Sequence, residues 1–152
     1  MDDRTRLYFT GYARRLREEG CTAGEIFRTL LVEFCGTPYV WGGSSLDGCD
    51  CSGSVCAALS CAFRKELRVT AHDLYRDYFT REAGSGGIEA LFFLDREGHA
   101  VHVAACAGNG RYMNESSAEI NRCGTLRCAA EMKVLYPRFT MVRRALDPEA
   151  LK

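Results

Sequence analysis

The sequence predicts a single α+β domain, with helices first and a mostly antiparallel sheet second. Three observations lead there. Apolar residues recur at helical spacing through the first 35 residues. After residue 88, short β-rich runs take over, with a Gly108-Asn109-Gly110 hairpin signal between two of them. The chain has 152 residues, enough for one core, and no repeat, low-complexity tract or Pro/Gly-rich linker divides it. Residues 1–152 therefore read as one domain, with 1–35 as its helical N-terminal part.

The elements follow in order. Leu7, Tyr8, Tyr12 and Leu16 give residues 4–19 a helical stripe, which Gly20 stops. Thr22 with Glu25 makes a capping-box pattern for a second helix, whose apolar face is Ile26, Phe27, Leu30, Leu31 and Phe34. Gly36 and Pro38 end it. Residues 37–50 are a Gly- and Ser-rich loop. Residues 52–64, SGSVCAALSCAFR, read as a helix that is small or apolar almost all round, which places it in the middle of the domain. Thr70 with Asp73 caps a further helix running to about residue 81, and GSGG at 84–87 is a turn. Residues 89–94, 100–107 and 111–116 read as strands, with weaker strand patterns at 125–129 and 139–145.

Charge and composition exclude several functions. Twenty Lys+Arg face twenty Asp+Glu, so no basic excess is present to grip nucleic acid. No apolar run approaches the ~20 residues of a membrane helix, so no integral membrane segment is expected. The opening MDDRTRLYFTGYARR puts acids first and lacks a continuous apolar stretch, unlike a secretory signal. The expectation is a cytoplasmic chain, or one exported or delivered without a signal peptide. The nine cysteines are odd in number and include no C-x-x-C pair, which argues for reduced thiols, mostly as small buried apolar residues, and against a structural zinc site.

One cysteine is placed differently. Cys51 stands at the very start of the 52–64 helix, where the helix dipole favours thiolate and is expected to lower its pKa. Cys56 and Cys61 lie deeper in the same helix and read as buried and inert. A thiol nucleophile needs an imidazole beside it. His72 reads as a surface or capping residue and His99 as a solvated turn tip. His102 lies within the strand AVHVAACA, and the hairpin at 108–110 returns Asn114 toward it. An amide there can orient the ring, as in Cys-His-Asn arrangements.

These residues carry a resemblance. Pro38-Tyr39-Val40-Trp41-Gly42-Gly43 followed by Asp50-Cys51-Ser52-Gly53 resembles the nucleophile region of the NlpC/p60 family of cell-wall cysteine peptidases. The run HVAACAGNGRYMNESS resembles that family's second motif, and the likeness covers about residues 22–117. It implies a papain-like α+β fold with the nucleophile helix packed on an antiparallel sheet. It implies Cys51 as nucleophile, His102 as general base and Asn114 as the third polar residue, where the family commonly has His. Glu115 is a rival for that role, but one residue along a strand it points to the opposite face. The resemblance further implies cleavage of amide bonds in peptidoglycan stem peptides, often between γ-D-glutamate and a diamino acid, with no metal or organic cofactor. Asp50 and Ser52 would contact the substrate's free amine, and Tyr39 would hold substrate or oxyanion. Cys49 reads as core filling and Trp41 as packing. The alternatives are an amidase or acyltransferase on another substrate, or a non-catalytic binding domain; delivery by a phage tail or secretion machine fits the missing signal.

Overall fold

A computed structural model describes all 152 residues. Helix α1 spans Asp3–Glu18, capped by the Asp2 carboxylate on the Thr5 N–H. Helix α2, Ala23–Leu31, starts at the expected Thr22/Glu25 capping box and passes into a 3₁₀ turn at Val32–Phe34. Loop 37–50 contains a two-residue ladder not expected from sequence, β1 (Ser44–Ser45) against β2 (Gly48–Cys49). Helix α3 runs Cys51–Phe63 and is buried on nearly every side. The helix expected to reach residue 81 is shorter. One turn, α4 (Ala71–Asp73), opens into a π-helical turn, Leu74–Tyr78.

Strands β3 (Arg81–Glu82), β4 (Glu89–Leu94), β5 (Ala100–Gly108), β6 (Arg111–Asn114), β7 (Thr125–Arg127) and β8 (Thr140–Ala145) form one antiparallel sheet in the order β3-β8-β4-β5-β6-β7. The third predicted strand thus stops at Asn114 and the fourth at Arg127. Helix α5, Ala129–Leu135, was not expected; Cys128 and Glu131 cap it. A 3₁₀ turn at Pro148–Leu151 follows β8. The hairpin signal is realised as a two-residue loop, Asn109-Gly110, with φ of 54° and 68°, the conformation that matches strand twist.

The helices cover one face of the sheet. Phe9, Phe27, Leu30, Phe34 and Leu59 pack there against Ala90, Phe92, Val103 and Ala105 in a core of 28 buried residues. The other face carries a smaller cluster, Leu91, Phe93, Ala104 and Tyr112, closed by Met132 of α5. The register of β5 is broken once against β4 and once, at Ala107, against β6. Phe93 pairs with His102 and Leu94 with Ala100, so Val101 has no partner and forms a bulge. Ala100 and Val103 consequently share the helix face, and His102 turns to the α5 side.

Candidate active site

Two close backbone approaches build the nucleophile end. A Cβ on Gly53 would sit 2.0 Å from the Gly43 carbonyl oxygen, and one on Gly43 would sit 2.5 Å from that of Gly48. Glycines at these positions let loop 37–50 lie directly on the first turn of α3. Asp50 is the N-cap, accepting from the Gly53 N–H at 2.7 Å, while its second oxygen accepts from the Gly42 N–H at 2.9 Å. Backbone bonds from Gly36, Tyr39 and Gly124 tie the loop to segment 122–124.

Cys51 begins α3 and opens into a cleft of about 820 Å³ that it shares with Tyr39, Trp41, Asp50, Ser52, Arg68, His102 and Tyr136. The dipole argument alone predicts a lowered thiol pKa. The structure reverses this: burial pushes the thiol up to about 11, although hydrogen bonds from the Val103, Ser52 and Cys51 N–H groups oppose the rise. Burial also lowers His102 to about 4, against the opposing effect of its bond to Asn114. Burial thus disfavours the charged form of both groups.

The His102 Nε2 lies 2.7 Å from the Asn114 Oδ1, and Asn114 Nδ2 donates to Glu119 Oε2 at 2.7 Å. The register explains the pairing: Ala105 opposes Met113, so Asn114 falls diagonal to His102 on the same face. The Tyr136 ring stacks on the imidazole, centroids 4.6 Å apart, and its hydroxyl lies 3.4 Å from Asn114 Oδ1. Glu115 turns the other way and is fully buried, with Oε2 accepting from the Cys49 thiol at 3.2 Å and Oε1 unpartnered. Burial raises it to about 7.

Several expectations change here. The Asp50 carboxylate, expected to hold a substrate amine, is already filled: besides the two N–H groups, Arg68 Nη2 lies 3.1 and 3.3 Å from its oxygens. The Ser52 hydroxyl sits 3.3 Å from Asp50 and accepts from Arg68 at 3.2 Å. Tyr39 does line the cleft beside Cys51. Trp41, read as packing, is 86% exposed on the rim, because the loop is held by its glycines and backbone rather than by the indole. His72 accepts from the Ala100 N–H at 3.1 Å and stacks on the exposed His99. Cys49 is core filling, as are Cys56 and Cys61; the other cysteines reach solvent, so the expectation that most are buried does not hold. Glu119, Arg127, Arg68 and Tyr136 were missed, since only tertiary packing brings them to the site.

A half-buried cysteine at a helix start, sharing a cleft with an imidazole backed by an amide, on an α+β scaffold, defines a candidate thiol-nucleophile domain. Residues 36–143 match the NlpC/P60 family, and the chain belongs to it. It is 33% identical over 96 residues to the murein DD-endopeptidase MepH of Escherichia coli, covering 60% of this chain and 35% of that protein. The chain thus spans about a third of that relative's length. Among solved structures, NlpC2 of Trichomonas vaginalis superposes with a TM-score of 0.63 at 23% identity, over 83% of this chain and 46% of its own. The P60 domain of an antigen from M. avium subspecies paratuberculosis gives 0.60 at 21%, over 88% and 96%. Both share the fold. No helix of the chain is long and apolar enough to cross a membrane.

Proposed function

We propose that the chain is a cysteine peptidase of peptidoglycan stem peptides, with Cys51 as nucleophile, His102 as general base and Asn114 as the group that orients it. The observation that carries this reading is the shared cleft: a thiol at a helix N-terminus and a neutral imidazole bonded to a buried amide, within one open groove. With the proton on Nε2 directed at Asn114, the remaining ring nitrogen is the one free to take the thiol proton. The sulfur then attacks the scissile carbonyl, and the N–H groups at the start of α3 face the developing oxyanion. Protonated His102 delivers its proton to the leaving amine. Water, deprotonated by His102, then releases the acyl group from sulfur. Tyr39, which lines the same cleft, contacts substrate.

The bond proposed is γ-D-glutamyl–diamino acid. The name of the E. coli relative favours a second reading, a D,D-cross-link between stem peptides. Incubation with a defined set of muropeptides, monomeric and cross-linked, with products read by mass spectrometry, separates them. Cleavage within monomeric stems is expected, absent in Cys51→Ala; cleavage of cross-linked dimers alone would favour the second reading, and no cleavage of any member would overturn both.

Asp50 is proposed to act by holding the first turn of α3 and Arg68, rather than by meeting an amine directly. Wild type is therefore expected to cut stem peptides with a free and a blocked N-terminus at similar rates. Arg68→Ala, which exposes the carboxylate, should gain preference for the free amine, on the order of tenfold for one charge-assisted bond. A strong amine preference in wild type would restore the direct contact.

A further inference from the structure

We propose that Glu119, held by Arg127, is a positioning residue that fixes which end of the Asn114 amide faces His102, and through it which imidazole nitrogen carries the proton. The inference rests on the Cys51–His102–Asn114 reading above. Asparagine is ambiguous in the orienting position: its oxygen would hold a proton on the facing ring nitrogen, while its NH₂ would demand a bare one. Nothing in the residue itself chooses. A carboxylate chooses, because ionised it only accepts.

Glu119 supplies that choice. Its side chain is 2% exposed, and Oε2 takes the Asn114 Nδ2 proton at 2.7 Å. The Oδ1 end is thereby left for His102, 2.7 Å away. The hydroxyl of Tyr136 lies 3.4 Å from the same Oδ1 but is bonded more closely to Ser116 Oγ; able to donate or accept, it fits either end of the amide and leaves the choice to Glu119. Arg127 bonds both Glu119 oxygens, Nε to Oε2 at 2.9 Å and Nη2 to Oε1 at 2.5 Å, so the carboxylate is paired and cannot rotate away. Asn114, Glu119 and His102 are all buried, so water does not compete for these bonds. The line His102–Asn114–Glu119–Arg127 runs from the cleft to β7, and backbone turns from Ser116 to Glu119 and from Glu119 to Arg122 hold the segment that carries Glu119.

The consequence is a tautomer held by the protein: Nε2–H toward Asn114, with Nδ1 unprotonated. Two measurements test it. In the first, ¹⁵N-labelled His102 is observed by NMR at pH 7 in the whole chain, which needs no substrate and so stands or falls apart from the assigned reaction. Wild type is expected to show Nε2–H with bare Nδ1, and Glu119→Ala a mixture of both tautomers. Nδ1–H in wild type, or an unchanged single tautomer in a folded Glu119→Ala, overturns the proposal. In the second, activity is read in a cycle with Asn114→Asp, a side chain that offers an acceptor whichever way it turns. Glu119→Ala should lower kcat on the order of tenfold with little change in KM. Adding Asn114→Asp should restore most of it, whereas Asn114→Asp alone, with two carboxylates in contact, should lose activity. A loss in Glu119→Ala that Asn114→Asp fails to relieve would show a merely structural role and sink the inference. Should Glu119→Ala not fold, Glu119→Gln, which can turn either end of its amide to Asn114, takes its place and is expected to show a mixture of tautomers, and a single wild-type tautomer there overturns the proposal.

Discussion

Two buried titratable residues give the site opposite responses to pH. His102 falls from 6.5 to about 4 through burial, so its contribution to stability is present above pH 6.5 and lost as pH falls through 4. Glu115 rises from 4.5 to about 7, so its contribution is present below 4.5 and lost as pH rises through 7. Between those values the two slopes oppose one another. Glu115→Gln, which stays neutral at any pH, should therefore gain stability relative to wild type between pH 5 and 8, on the order of 3 kcal/mol. Parallel denaturation curves at the two pH values check this; an equal offset at both would remove Glu115 from the account. For activity, the proposed base must be unprotonated. The expected kcat/KM profile rises through about pH 4 and is level from 6 to 8. An acid limb near 6.5 would mean that His102 is far better solvated than the structure shows. None of this was legible in the sequence. Position at a helix start predicted a depressed thiol pKa for Cys51, but its surroundings decide, and burial outweighs the dipole there.

At the level of elements, α3 and the β5–β6 hairpin were readable because their signals are local. Small residues around α3 and an Asn-Gly turn need no tertiary information. Helix α5 was missed because it is 7 residues long and its cap is a cysteine, Cys128, not one of the usual oxygen-bearing residues. Yet it delivers Met132 to the second core and leads into Tyr136, which covers His102. Tyr136→Ala should let water reach the ring, raise the His102 pKa toward 6.5 and carry the acid limb of activity upward with it. An unmoved limb in the folded variant would show that other groups keep the ring dry. The junction of loop 37–50 with α3 has its own test. Gly53→Ala forces a methyl against the Gly43 carbonyl and should cost about 1–3 kcal/mol, whereas Gly11→Ala in α1, with nothing within 4 Å, should be neutral or stabilising. Similar melting temperatures for the two variants would contradict the close approach. The glycines of this loop were recognisable in the sequence as a motif; the reason for them, a backbone laid on a helix start, was not.

Over the whole molecule, the helices and the inner face of the sheet form the main core, while the proposed base, its orienting amide and Glu119 belong to the other face. The thiol comes from the helical side. The proposed chemistry therefore depends on the two layers meeting at one cleft, and the bulge at Val101 lies in β5 next to the imidazole. A strand has a phase as well as a composition, and here pairing with β4 keeps it across one extra, unpaired residue. Val101 is 43% exposed at the wall of the cleft, so Val101→Ala should keep most activity. Deleting the residue is a sharper test. Phe93 already pairs with His102 and Leu94 with Ala100, so the strand would close into an even ladder with the imidazole and Val103 on the faces they now occupy. Such a shortened chain should keep its fold and lose only the stretch of cleft wall that Val101 supplies, and a crystal structure with His102 turned toward α3 would show instead that the extra residue, and not the pairing, decides where the imidazole points.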